Sequence, residues 1–329
     1  MAVLITGGAG YIGSHVALEF LEAGEHAVVL DDLSTGFRSA IPANTPFVFG
    51  RAGDQGLVER LIVEHGVSAI VHLAAQTSAP ASLADPLSYY DVNFAQMRSL
   101  VAAAVKTGVR HFVYSSTAAV YGTPGRNPVS EQAPALPLTP YGRSKLMGEW
   151  LLEDVAQAHG LTYVALRYFN VAGADPLGRA GQSTLNATNL IKAAVQTALG
   201  LRSGFEVFGT DYPTRDGSCV RDFVQVTDLA RGHMSALEHL RSGGDRLVCN
   251  CGYGIGYSVL EVVEAVKRAS GSDFEVRFVD RRPGDAAEVV ASSALMREAL
   301  RWTPQFEDLT TMVEQALAWE KRSVASRTV

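Results

Sequence analysis

Near the start of the chain glycines recur at every third position, Gly7, Gly10 and Gly13, directly after the apolar run 3–6 and at the head of a stretch with helical spacing, 12–22. Residues without Cβ atoms placed between a strand and a helix make a tight turn with its backbone laid bare. The first glycine permits the turn, the second lets a bulky anion approach the main chain, and the third lets helix pack on strand. The helix then aims its unpaired N–H groups at that anion, with Tyr11 and Ile12 in its first turn. An ordinary turn with a helix cap would use the same glycines. Context favours the dinucleotide cradle, because Asp31 ends the next apolar run, eighteen residues after Gly13. A carboxylate there can accept from both hydroxyls of an adenosine ribose and repels a 2′-phosphate, so the expected cofactor is NAD. Arg38, nearby, suits such a phosphate, but Asp31 argues against it.

The same alternation continues. Short β-branched runs at 3–6, 27–30, 69–73, 112–115 and 164–167 are separated by helically spaced segments at 12–22, 56–64, 90–105 and 141–157. Strands alternating with helices form right-handed βαβ units on a parallel sheet. The expected class is α/β, a Rossmann-type doubly wound parallel sheet. After Gly173 the pattern loosens into an irregular segment, 174–189, a helix at 190–199 and a glycine-rich stretch at 250–256. Ser258 and Glu261 form a capping box for a helix to about residue 269. A last helix is expected at 309–321, with frayed residues after Arg322. We expect residues 1–173 to bind the dinucleotide and 174–329 to form a smaller mixed α/β substrate-binding region, with part of 220–250 returning to the first.

With 329 residues, 47% of them hydrophobic, the chain can bury one large core with a smaller one attached. A net charge of -6 and the lack of any basic run argue against nucleic acid and anionic membrane as partners. No stretch approaches the roughly 20 apolar residues of a membrane span. The chain opens on its first strand without a basic leader, so a cytoplasmic protein is expected. Cys219, Cys249 and Cys251 are odd in number and lack Cys-x-x-Cys spacing, which reads as free thiols in a reducing compartment and no metal site.

Tyr141 and Lys145 stand four apart after Pro140, where a helix can start, so they share one helix face. A free phenol titrates near about pH 10, too high for a base at neutrality. A nearby ammonium and a positive nicotinamide ring both favour the phenolate. Alone, this spacing usually marks a surface pair. The string Val113-Tyr114-Ser115-Ser116-Thr117 strengthens the chemical reading, since it leaves the carboxyl end of a parallel strand, the edge where open sheets bind ligands. Thr117 can offer its hydroxyl to a reacting oxygen, or simply close the strand with a hydrogen bond.

Together these residues resemble the extended short-chain dehydrogenase/reductase family over nearly the whole chain. The likeness rests on the glycine cradle, His72-Leu73-Ala74-Ala75, Thr117 and Tyr141-x-x-x-Lys145. Within the family the strings resemble the branch of 4-epimerases acting on UDP-galactose and UDP-glucose: Gly8-Ala9-Gly10-Tyr11-Ile12-Gly13-Ser14-His15, Leu166-Arg167-Tyr168-Phe169-Asn170, Asp211-Tyr212-Pro213-Thr214, Val220-Arg221-Asp222 and Arg281-Arg282-Pro283-Gly284-Asp285. The resemblance implies that Tyr141 is the base, that Lys145 holds the nicotinamide ribose and tunes Tyr141, and that Thr117 lies beside the sugar 4-hydroxyl. It implies that Leu73, Ala74, Ala75, Asn93 and Tyr168 join the cradle around NAD. It also implies that Asn170, Asn189, Phe208, Arg221, Arg282 and Asp285 hold the UDP-sugar. The expected reaction oxidises carbon 4, lets the 4-keto sugar turn over, and reduces the opposite face.

Rival readings follow from the same residues. A dehydratase of this family needs an acid and a base after Thr117, and here those positions are Ala118 and Ala119. A one-way dehydrogenase or reductase, or a non-catalytic NAD-binding protein, remains as an alternative. The chain departs from the branch at Arg51, where an acid usually faces the adenine, at Thr77 in place of a lysine, and at Gln96-Met97 after Asn93. Arg51 could stack on the adenine, while Asp54 is a poor substitute for the acid. Val289 falls where bulk limits the sugar pocket, and a valine would admit N-acetylated sugars. The resemblance also implies a homodimer built on the helices near 90–105 and 141–157.

Overall fold

Successive residues of the first strand belong to different cores: Val3 and Ile5 pack into one apolar cluster, Leu4 into the other. A strand buried on both faces needs helices on both, which is the signature of a parallel sheet in an α/β protein. The computed structural model describes residues 1–184 and 188–327; Leu185, Asn186 and Ala187 of the irregular segment and the last two residues lie outside the described residues. In chain order the first half runs β1 (Ala2–Thr6), α1 (Tyr11–Glu22), β2 (His26–Asp31), β3 (Phe47–Phe49), α2 (Gln55–His65), β4 (Val67–His72), α3 (Ala79–Ala84), α4 (Pro86–Tyr90), α5 (Gln96–Thr107), β5 (His111–Thr117), α6 (Pro140–His159) and β6 (Thr162–Tyr168). The second half runs β7 (Asn170–Ala172), α7 (Leu190–Ala198), β8 (Phe205–Phe208), β9 (Val220–Gln225), α8 (Val226–Arg241), β10 (Leu247–Cys251), β11 (Gly256–Ser258), α9 (Val259–Ser270), β12 (Val276–Val279), β13 (Glu288–Val289), α10 (Ala294–Ala299) and α11 (Leu309–Arg327).

Among the described residues seven strands form one sheet in the order β10-β6-β5-β4-β1-β2-β3, every neighbouring pair parallel. The protein is thus an α/β Rossmann-type fold. Residues of α1 and α8 bury Val16, Phe20, Leu229 and Leu237 on one face; α2, α5 and α6 bury Leu61, Leu100 and Leu152 on the other. Each such side chain contributes roughly 1.5–3 kcal/mol of burial. Winding runs outward from β1 in one direction and from β4 in the other, so the crevice between their carboxyl ends is the switch point where such sheets bind ligands.

In the second half α8 lies beside α1 and β10 pairs with β6, while β9, which leads directly into α8, pairs with β7, β11 and β13 in a smaller sheet. A parallel β8–β12 pair completes the C-terminal region. The capping box at Ser258 and Glu261 forms as expected. Two expectations need correction. The helix read at 90–105 starts earlier, at Pro86 under an Asp85 cap, and is interrupted by a π-helical turn at Asp91–Ala95, where the Asn93 amide is tied to Gln76 and Ser144. The last helix does not fray after Arg322 but runs to Arg327. Arg322 lies over the Trp319 ring and fills the space that a Cβ at Gly178 would take, which anchors that turn to the body.

Candidate active site

The cradle forms because its glycines have no room for side chains. Gly7 has φ +75°, and a Cβ there would lie 2.5 Å from the Ala74 nitrogen; one on Gly13 would lie 2.1 Å from the Gly7 carbonyl oxygen. The first close approach docks Leu73 and Ala74, with Ala75 next in the chain, against the loop, and the Leu73 N–H donates to the Thr6 carbonyl at 3.0 Å. Gly10 is the N-cap of α1 and supplies no side-chain cap, which leaves the helix N-terminus to an outside acceptor. Tyr11 and Ile12 follow; the Tyr11 hydroxyl donates to the Gly173 carbonyl at 2.7 Å, tying the loop to the C-terminal region. Asp31 ends β2 and accepts from Ala9 N at 2.9 Å and Leu33 N at 2.8 Å. Carboxylate oxygens have spare lone pairs for ribose hydroxyls. Burial raises the Asp31 pKa against the pull of these two N–H groups. A backbone cradle, an uncapped helix end and a terminal carboxylate fit an adenine dinucleotide.

Around the adenine end the departures resolve locally. Arg51 is exposed and stands 3.8 Å from Asp32, Asp54 caps α2 through Leu57 N at 3.0 Å, and the Arg38 guanidinium sits 4.9 Å over the Phe47 ring.

Thr139 caps α6 through Gly142 N at 3.3 Å and Pro140 occupies its first turn, so Tyr141 lies at the helix start. The positive end of the macrodipole favours negative charge there. The Tyr141 phenol is hydrogen-bonded to Thr117 at the end of β5, and its ring meets Tyr89 edge-on at 6.4 Å. One turn along, buried Lys145 donates to the Ser115 carbonyl at 2.7 Å and lies 5.1 Å over the Tyr114 ring. Burial pushes Lys145 down to about 7 and pushes the Tyr141 phenol up, the Thr117 bond opposing the latter. Burial thus opposes the phenolate at Tyr141, and a cationic nicotinamide bound beside it would favour the charged form.

Asn93 and Tyr168, expected at the cofactor, are buried and bonded to protein groups. Asn93 accepts from Gln76 N at 2.8 Å and donates to Gln76 O at 3.0 Å and Ser144 Oγ at 3.1 Å, bracing the loop after β4 against α6. The Tyr168 hydroxyl meets His233 on α8.

Four of the expected nucleotide-binding residues, Phe208, Arg221, Arg282 and Asp285, converge in the C-terminal region. Arg282 contacts Asp285 at 3.1 Å, Arg221 approaches the same carboxylate at 3.8 Å, and the Arg282 guanidinium lies 5.0 Å over the Phe208 ring. Val289 pairs with Arg221 across β13 and β9 and packs in a cluster with Leu146 and Phe169. Asn170 opens β7 and is exposed. Asn189 precedes α7, where its side-chain oxygen accepts from Gln182 at 2.8 Å.

A profile of the NAD dependent epimerase/dehydratase family matches residues 3–252, most of the chain. The chain belongs to this family. It is 51% identical over 319 residues, 97% of its own length and 92% of the relative's, to the UDP-glucose 4-epimerase of Azospirillum brasilense. Its structure resembles the UDP-glucose 4-epimerase of Brucella ovis in complex with NAD (TM-score 0.94, 41% identity, 96% and 97% of the two chains). It also resembles that of Bifidobacterium longum in complex with NAD+ and UDP (TM-score 0.93, 33% identity, 98% and 99% covered).

Against that epimerase frame the sequence reading missed one group next to the site. Glu149, one turn beyond Lys145, and Arg167 of β6 form a buried pair at 2.6 Å behind the reacting residues. A signal was present: Tyr141, Lys145 and Glu149 recur every fourth residue, and Arg167 is a charge in an otherwise apolar strand.

Proposed function

We propose that the protein interconverts UDP-hexoses at carbon 4, UDP-galactose with UDP-glucose, through a transient 4-keto sugar. The observation that carries this reading is the Tyr141–Thr117 hydrogen bond at the carboxyl end of β5, followed by Ala118 and Ala119. A proton acceptor stands there without the second acid–base pair that eliminating water would require. NAD, when bound by Gly7, Gly10, Tyr11, Ile12, Gly13, Asp31 and the Leu73-Ala74-Ala75 turn, supplies the group that takes hydrogen from carbon 4 and gives it back. Tyr141 takes the 4-hydroxyl proton and later returns it. Thr117 orients that hydroxyl, and Lys145 biases the phenol toward its charged form when the ligands are in place.

Arg221 and Arg282 hold the diphosphate, for which a guanidinium fork is well matched. Asp285 takes the uridine ribose, Phe208 lines the base, and Asn170 and Asn189 complete the grip. Binding concentrated on the nucleotide leaves the sugar free to turn. Val289 leaves room for N-acetylated hexoses.

We also propose the division at residues 173 and 174, a cytoplasmic location, and a homodimer in which α5 and α6 pair with their copies. Supporting the last, Val101, Val105, Leu151 and Val155 line a surface groove on α5 and α6 rimmed by Arg98, Lys106 and His159, and Trp150 of α6 is exposed. Among the described residues no helix is long and apolar enough to cross a membrane.

Incubation with UDP-galactose and no added cofactor tests the activity. Formation of UDP-glucose without accumulation of reduced nicotinamide is expected; stoichiometric reduced cofactor and an oxidised sugar would instead identify a dehydrogenase.

A further inference from the structure

Three consecutive residues of β5 each engage one of three residues spaced four apart on α6. The Ser115 carbonyl accepts from Lys145 at 2.7 Å, the Ser116 hydroxyl donates to Glu149, and Thr117 bonds to Tyr141. The first and third contacts involve proposed reacting groups. The middle one does not, and it is the best anchored. Glu149 and Arg167 are 5% and 7% exposed, and the guanidinium donates twice to the carboxylate, at 3.0 and 2.6 Å. Arg167 Nη1 also donates to the Tyr121 hydroxyl at 2.9 Å, which donates to Asn250 Oδ1 at 2.6 Å. Asn250 reaches onward to the Val129 carbonyl at 2.9 Å and the Ser292 carbonyl at 3.3 Å, on the segments bridged at Val129 and Ala291. Ala291 shares its apolar cluster with Val289 and Leu146.

Stability alone does not call for this arrangement. Two buried charges are costly to desolvate, and well-packed apolar residues of similar volume often serve as well or better. A fixed bidentate fork does what apolar packing does not: it admits one register of α6 along β6, and so along β5, where Ser116 pairs with Arg167 across the strands. A slide of the helix would break it and would move Tyr141 off Thr117 and Lys145 off the Ser115 carbonyl together.

We infer that Glu149 and Arg167 are positioning residues for the epimerase reaction, locking α6 in the register that aligns Tyr141 and Lys145, and joining that alignment through Tyr121 and Asn250 to the strand bearing the sugar-pocket wall. The inference rests on the epimerase reading, and wild-type protein assayed in parallel keeps the two separable. Failure of the wild type on UDP-galactose would sink that reading, whereas the inference is judged by the variants' ratio to wild type.

Glu149→Gln and the paired Glu149→Met, Arg167→Met variant would be purified, their bound NAD quantified, and kcat, KM and the pH profile measured per NAD-bearing site. Misalignment of reacting groups lowers kcat by about ten- to a hundredfold. KM for UDP-galactose should stay within about twofold, since the nucleotide contacts are untouched. The acid limb of the kcat profile should move to higher pH as Tyr141 loses its partners. The paired variant should recover thermal stability without recovering kcat. A pair that only stabilises the fold would give the reverse, a lowered Tm with wild-type kcat and pH profile at each loaded site, and that result overturns the inference. Should Glu149→Gln not fold, the paired variant and Ser116→Ala decide by the same split: lower kcat at constant KM supports the inference, and unchanged kcat refutes it.

Discussion

The two ends of the cleft are built on opposite plans. At the reacting end Lys145, Glu149, Asn93 and Arg167 are buried and bonded to other protein groups. At the proposed nucleotide end Arg221, Arg282 and Asp285 are partly exposed and meet one another at 3.1–3.8 Å, with Arg282 resting on Phe208. Chemistry at a single carbon needs groups already in place, because a small misalignment costs more than a weak contact returns. A diphosphate can be captured by cations that exchange one carboxylate partner for another. On the proposed assignment, rigidity sits where bonds change and adaptability where the ligand is gripped.

Four outcomes would test this division, and the largest effect is expected at the rigid end. Tyr141→Phe should lower kcat by about 10²–10⁴-fold, the usual worth of a positioned base. UDP affinity, read by calorimetry, should be unchanged. Arg282→Ala should weaken UDP by about ten- to a hundredfold, as expected for a lost charged hydrogen bond. It should leave kcat at saturation nearly intact; a large fall in kcat would mean that the two ends are not separate.

Lys145 gives a pH signature. Its pKa in the folded protein is lowered to about 7 by burial. Between that value and its ordinary unfolded one, the unfolded chain binds the proton that the folded chain has lost, so stability rises with pH through this window. Lys145→Met removes that slope. The difference in Tm between wild type and variant should therefore shift in favour of the wild type from neutral pH upward, and a constant difference would contradict the assigned burial. The smallest effect is expected at Arg51→Ala. Its ion pair with Asp32 is exposed, and such pairs contribute little, so Tm should hardly move. Faster loss of bound NAD at unchanged Tm would show that Arg51 serves the adenine.

How much of this was legible in the sequence depended on how local each signal was. Gly7, Gly10, Gly13, Asp31 and the Tyr141–Lys145 face were readable because backbone sterics and helix spacing act over a few residues. Asn93 was not. Its neighbours Gln76 and Ser144 come from other elements, and nothing near Asn93 marks the π-helical turn that points it inward. The partners of Tyr168 were hidden for a similar reason, since its hydroxyl finds His233, far along the chain. Arg322 gave no hint of anchoring α11, because the space it fills is made by Gly178 on a distant loop. The upward push on Tyr141 was invisible too: spacing reports a lysine one turn along, but only the fold reports the burial that raises the phenol against its Thr117 bond.

The whole account depends on one hydrogen atom leaving carbon 4 and returning to it within a closed site. UDP-galactose carrying deuterium at carbon 4, converted in ordinary water, follows that atom. The product UDP-glucose should retain the label at carbon 4. Replacement of the label by solvent hydrogen would mean that the carbon–hydrogen bond is broken by a base, and its appearance in free reduced nicotinamide would mean that the cofactor leaves between half-reactions; either would contradict the mechanism.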